Sequence, residues 1–238
     1  MEVVILAGGL GTRLSEETHQ KPKPMVEIAG NPILWHIMKT YAAQLKSEFY
    51  VATGYKSEII ENYLDSEIFK SEKLIAKSIF TGDNTSTGGR IKKCFDSISG
   101  DIFMATYGDG VCDIDLNRLY DFHLSHGKIA TLTAVRPAAR FGRLEMEGDQ
   151  VVSFSEKPQS QEGWINGGYF VFNRQIMDYL VSDTEPLEHG PLSNLSKDGQ
   201  LMAYKHEGFW QPMDTLREKI ELENLVHNQS APWMKNFN

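Results

Sequence analysis

The chain has 238 residues, with 24 Lys and Arg against 32 Asp and Glu, a formal net charge of -8, 41% hydrophobic and 24% charged residues. Such a length fits one large α/β domain with a sizeable core, and the ordinary globular composition excludes disordered and fibrous classes. The acidic balance argues against a nucleic-acid surface, and no apolar run approaches the length that spans a bilayer.

Met1-Glu2 opens directly into a strand rather than a basic leader, so a cytoplasmic protein is expected. Cys94 and Cys112 do not form a CxxC pair and read as ordinary reduced thiols. Val3-Val4-Ile5-Leu6 reads as a buried strand that runs into Ala7-Gly8-Gly9-Leu10-Gly11-Thr12-Arg13. Gly8, Gly9 and Gly11 let the backbone turn sharply and point its N–H groups at an anion, with Arg13 and Lys23 adding positive charge suited to a triphosphate. A tight turn with two solvated cations accounts for the same residues. A P-loop is excluded, because no Gly-Lys-Ser/Thr follows Gly8. A dinucleotide fingerprint is weak, because the next strand, 49–53, ends in Thr53-Gly54-Tyr55 without the ribose-binding carboxylate.

Pro32 sits at an expected first helical position, and Leu34, Ile37, Met38, Tyr41 and Leu45 recur at helical spacing; His36 on this helix carries no functional assignment. Ile59, Ile60, Tyr63 and Leu64 predict a second helix after the strand at 49–53, and this alternation implies a doubly wound, mostly parallel sheet. Ile68 to Phe80 has no clear pattern. Residues 81–86 read as a turn-rich loop, and Thr87 as the N-cap of a helix through Cys94 and Ile98. Arg90 falls in that helix's first turn, where either a bound anion or a solvated side chain explains a cation.

Ile102 to Thr106 is a buried strand leading into Tyr107-Gly108-Asp109-Gly110, the position where open α/β sheets place ligands. Asp109 is there either a metal ligand or an ordinary turn aspartate. Asp113 and Asp115 read as turn and N-cap of a helix from Leu116 to His126, with Gly127 as its C-cap. A strand at 129–135 precedes an antiparallel hairpin of 143–147 with 151–155 around Gly148-Asp149. Glu156-Lys157-Pro158 ends it, and a strand at 164–172 carries Asn166 and Gly167 at its mouth. Thr215 and Glu218 have capping-box spacing, which leaves Asp214 free to be a second metal carboxylate rather than a cap. The aromatic tail 231–237 is expected to dock on a surface, a neighbouring subunit being one candidate.

Leu6 to Leu14 with Lys21-Pro-Lys-Pro-Met25 resembles the signature of sugar-phosphate nucleotidylyltransferases, and Ser15 to Thr18 is similar to the glucose-1-phosphate cytidylyltransferase branch. The likeness continues through 32–39, 87–92, 107–110, 140–142, 156–158, 166–168 and 209–217, nearly the whole chain. It implies an α/β fold with a small antiparallel sugar-binding lobe. The division would be a nucleotide half over about 1–135, an acceptor half over about 136–213 and a C-terminal helix and tail over about 214–238. The implied substrates are CTP and a sugar 1-phosphate, α-D-glucose 1-phosphate first, in a homo-oligomer. A different phosphorylated acceptor, UTP or dTTP, or a silent nucleotide-sensing subunit are the alternatives.

The resemblance implies a nucleotide site of Leu6, Ala7, Gly8, Gly9, Gly11, Thr12, Arg13, Lys23, Thr85, Arg90 and Gly108, with Arg13 on the β- and γ-phosphates and Lys23 on the α-phosphate. Lys157 would take the incoming phosphate, and Tyr107, Glu156, Asn166 and Gly167 the sugar. Mg²⁺ is expected on Asp109 and Asp214, since it takes one or two carboxylates plus phosphates and water. The segment 68–80 is shorter than the family pattern, which predicts a smaller or differently built oligomer and keeps an acceptor other than glucose 1-phosphate among the alternatives.

Overall fold

Val3, Val4 and Ile5 are fully buried because β1 (Glu2–Leu6) has a parallel partner on each side and helices over both faces. In the computed structural model, which describes residues 1–137, 143–155 and 163–237, seven strands form the central sheet. The others are β2 (Glu48–Thr53), β3 (Ile75–Phe80), β4 (Ile102–Tyr107), β5 (Ala130–Val135), β6 (Ile165–Asn173) and β7 (Leu201–His206). Their order is β7-β5-β6-β4-β1-β2-β3, all parallel except β6, which runs antiparallel to β4 and β5.

The strand period of two sends Val3 and Ile5 to one face and Val4 and Leu6 to the other. The first face packs against α1 (Ile33–Ala42), α2 (Ser57–Asp65), α4 (Leu116–His126) and α6 (Leu216–His227), through Ile37, Ile60, Leu119 and Leu222. The second packs against α3 (Thr87–Cys94) and α5 (Pro191–Lys197), through Ile91 and Leu192. Asp115 caps α4 by accepting from the Arg118 amide, and Gly127 ends it at φ 64°. The hairpin forms as expected, from Arg143–Glu147 and Gln150–Ser155, as a separate two-stranded sheet.

The structure corrects the expectations for Pro32 and Thr87 and ends α3 at Cys94, where the turn Phe95–Ser97 breaks it before Ile98; it also resolves two segments that the sequence leaves open. Pro32 does not begin α1 but precedes it, paired with Glu27 in a short antiparallel bridge. The segment 68–80 contains a short helix, Glu67–Ser71, and the sheet's edge strand β3, whose half-exposed residues dilute the hydrophobic signal of a strand. Thr87 is not the cap of α3: Ser86 holds that position, and the Thr87 hydroxyl donates to the Glu188 carboxylate (2.9 Å) while accepting from the Leu187 amide. The tail docks on its own chain, where Trp233 is buried, stacks on Phe209 and donates to His36 Nδ1, and Phe237 meets Trp35 edge-on.

Candidate active site

A cavity of about 660 Å³ lies beyond the carboxyl ends of β1 and β4, where the glycine loop leaves one strand and Tyr107-Gly108-Asp109 leaves the other. Leu6, Ala7, Gly8, Gly9, Gly11, Thr12 and Arg13 all line it, with Lys23, Thr85, Arg90, Tyr107, Gly108, Asp109, Asn166 and Asp214. Gly11 sits at φ 64°, in the left-handed region, and turns the chain into the single helical turn Thr12–Leu14. At Gly8 the limit is space, since a Cβ there would run into the Arg90 guanidinium.

Arg90 is 4% exposed, so it is no solvated side chain. Its guanidinium donates to the carbonyls of Thr53 (2.9 Å), Gly82 (2.9 Å) and Gly8 (2.9 Å) and to the Thr81 hydroxyl (2.6 Å). Burial lowers its pKa from the ordinary value, and among the described residues no carboxylate lies within ion-pair distance. Carbonyl dipoles thus stabilise the cation in the first turn of α3 and tie the glycine loop to the ends of β2 and β3. Thr85 is held nearby, its hydroxyl donating to the Thr81 carbonyl (2.5 Å) and accepting from Lys93 (3.2 Å).

Lys23 is the centre of the charged group. It lies in the turn Lys23–Met25, is 7% exposed, and donates to Asp109 Oδ2 (2.7 Å) and Asp214 Oδ1 (2.5 Å). Arg13, with 70% of its side chain exposed, reaches the other Asp214 oxygen (2.6 Å). The two carboxylates meet because the short strands Gly110–Cys112 and Trp210–Pro212 pair antiparallel and the Met213 amide donates to the Asp109 carbonyl (2.8 Å). Glu218 then fixes the backbone at Asp214: its carboxylate accepts from the amides of Asp214 (2.8 Å) and Thr215 (2.9 Å), completing the capping box of α6.

The donor set suits a hard divalent cation. Asp109 and Asp214 converge on one ammonium, so one ion could contact both, and among the described residues no third acidic, His or Cys ligand joins them. Two carboxylates with open positions for phosphate and water is the pattern Mg²⁺ favours.

Further along the lining, Asn166 Nδ2 donates to the Tyr107 hydroxyl (3.2 Å) and its Oδ1 accepts from the Gly168 amide (2.9 Å). The Tyr107 hydroxyl donates to Glu188 Oε1, and its pKa is raised first by burial and then by that carboxylate. Gly167 does not line the cavity; its carbonyl accepts from the Trp210 indole (2.8 Å). Glu156, Lys157 and the stretch 140–142 lie outside the described residues. Glu188 and Trp210 line the cavity without having been singled out from the sequence, where Glu188 reads as one more acidic residue of a polar turn.

A family model described as Nucleotidyl transferase matches residues 2–210. The glucose-1-phosphate cytidylyltransferase of Salmonella typhi is 46% identical over 253 aligned positions, covering 98% of each chain. A probable glucose-1-phosphate cytidylyltransferase of Bacillus subtilis (strain 168) is 39% identical over 252 positions, covering 98% of this chain and 99% of that one. Among solved structures, HddC from Yersinia pseudotuberculosis complexed with GMP-PN matches at TM-score 0.73 and 26% identity, over 94% of this chain and 99% of the other. With 253 aligned positions against 238 residues, at least 15 positions of the Salmonella relative have no counterpart here.

Proposed function

Because this chain belongs to the nucleotidyl transferase family, among its glucose-1-phosphate cytidylyltransferases, we propose that it transfers the cytidylyl group of CTP to α-D-glucose 1-phosphate, giving CDP-glucose and pyrophosphate. The observation that carries this reading is the meeting of Lys23, Arg13, Asp109 and Asp214 beside a glycine loop at the end of a parallel sheet.

The sugar phosphate is already an anion, so its oxygen needs no general base. A bond forms from that oxygen to the α-phosphorus as the bond to the bridging oxygen breaks, and pyrophosphate leaves with the electron pair. Charge neutralisation and alignment are what the protein must supply. The glycine-loop amides and Arg13 are assigned to the β- and γ-phosphates, Lys23 to the α-phosphate and Lys157 to the incoming phosphate. Arg90 holds the loop through the Gly8 carbonyl. Asp109 and Asp214 would hold Mg²⁺, which supplies charge neutralisation of the phosphates when bound.

A homo-oligomer working in the cytoplasm, where nucleoside triphosphates and phosphorylated sugars are used, completes the proposal. Among the described residues no helix is long and apolar enough to cross a membrane. Pyrophosphate release over a matrix of CTP, UTP, dTTP and GTP against sugar 1-phosphates tests the substrates. CTP with glucose 1-phosphate is expected to give the highest kcat/KM, and a better rate with another base or sugar overturns that part of the reading. Failure of every pair would favour a silent nucleotide-binding subunit.

A further inference from the structure

Three acidic side chains line the cavity, Asp109, Asp214 and Glu188, and two of them meet Lys23. Glu188 meets no cation within ion-pair distance among the described residues. Its hydrogen bonds come from two hydroxyls, Tyr107 on Oε1 and Thr87 on Oε2 (2.9 Å). The direction of these bonds is determined. Asn166 Oδ1 is taken by the Gly168 amide, so Nδ2 points at Tyr107, whose single proton then goes to Glu188. Thr87 accepts from the Leu187 amide and likewise gives its proton to Glu188.

Each carboxylate oxygen accepts about two hydrogen bonds, so one acceptor position remains on each. An anionic wall with spare acceptor capacity repels phosphate and rewards a neutral donor, because a donor on a charged acceptor is stronger than a neutral pair. The proposed substrates offer two kinds of neutral donor, sugar hydroxyls and the cytosine amino group. Tyr107 and Asn166, which orient the carboxylate and line the cavity with it, are the residues assigned to the sugar.

We infer that Glu188 determines acceptor specificity, its carboxylate accepting a hydrogen bond from one ring hydroxyl of the sugar 1-phosphate. The inference rests on the reading of the cavity as a nucleotidyltransferase site. Sugars that lack this hydroxyl leave the carboxylate short of a donor, and sugars that carry an anion there meet repulsion.

The test compares glucose 1-phosphate with its 2-, 3-, 4- and 6-deoxy analogues, at saturating CTP, in the wild type, Glu188→Gln and Thr87→Val. The wild type is expected to lose roughly 10- to 100-fold in kcat/KM on one analogue as the charge-assisted bond disappears. Glu188→Gln should lower kcat/KM for glucose 1-phosphate itself and shrink that analogue's ratio towards 1, leaving the other three ratios in place. Thr87→Val, which alters Oε2 without removing the carboxylate, should move the same ratio and no other. Equal losses on all five sugars would make Glu188 a support for Tyr107 alone and overturn the inference. A changed CTP-to-UTP preference in Glu188→Gln with unchanged sugar ratios would put the base there and overturn it too. A wild type inactive on every sugar 1-phosphate would refute the functional reading and this inference with it, whereas an active wild type with uncoupled variants refutes only the second.

Discussion

At the scale of single residues, Lys23 connects the chemistry to the geometry, since one ammonium spans two carboxylates from distant segments, Asp109 and Asp214. Asp109→Asn and Asp214→Asn each remove a charge from the group assigned to the metal, and each should lower kcat by about 10²-fold or more with the fold intact. A divalent-ion titration of the rate and circular dichroism check both halves; rates near the wild type's in both variants would refute the assignment. Lys23→Ala leaves Asp109 and Asp214 to repel one another without their shared cation. If its charge meets one that grows during reaction, kcat should fall by a factor on the order of 10²–10³ with little change in KM for CTP. An unchanged kcat with a raised KM would show that Lys23 only clamps the bound nucleotide.

At the scale of elements, α6 and the tail hold the site from outside. Thr215 caps α6 while Glu218 holds the amides of Asp214 and Thr215, so helix stability and carboxylate position share one motif. Thr215→Ala should cost about 1 kcal/mol in urea unfolding. Glu218→Ala should in addition raise the Mg²⁺ concentration needed for half-maximal rate, and an unaltered metal requirement would separate the cap from the site. The tail covers His36, whose Nε2 bonds the Ile28 carbonyl (3.1 Å) and whose Nδ1 meets the Trp233 indole N–H (3.3 Å). A carbonyl only accepts and an indole N–H only donates, so the proton sits on Nε2 and Nδ1 accepts. Burial lowers the His36 pKa from 6.5 to about 4. The unfolded chain therefore takes up a proton between these values that the native state refuses, so this stability is present above about pH 6.5 and is lost as pH falls towards about 4. At pH 5 the loss is about 2 kcal/mol relative to pH 7. His36→Gln should flatten the pH dependence of the urea midpoint by that amount, and a parallel shift at both pH values would show that His36 does not titrate there.

At the scale of the whole molecule, the sheet ends on β3, an edge strand with Ile75 and Phe80 exposed and no neighbour on its far side among the described residues. Edge strands of this kind pair with other chains unless something blocks them. The expected homo-oligomer would use this edge, and the positions this chain lacks relative to the Salmonella relative make a smaller or differently built oligomer the expected outcome. Light scattering on the wild type and on Phe80→Pro, which removes an N–H that faces away from β2 at the free edge, checks this. A monomer in both would remove the edge from consideration.

Much of the site was legible from local signals. Buried-strand residues before Gly8 and Tyr107, the cap spacing of Thr215 with Glu218 and the charges of Arg13, Lys23, Asp109 and Asp214 are properties of short stretches, because strand period, turn chemistry and capping act over a few residues. Other features depend on pairings between distant segments. Glu188 reaches the cavity only because its loop packs on Thr87 and Tyr107, and Arg90 turns inward because carbonyls from Gly8, Thr53 and Gly82 happen to meet there. The edge strand β3 carried too few buried residues to announce itself, and the tail's docking surface, α1, lies nearly two hundred residues before it in the chain. Such contacts have no local signature, since a side chain's partners across the fold are set by the packing of whole elements, and that packing is what makes a row of charges into a site.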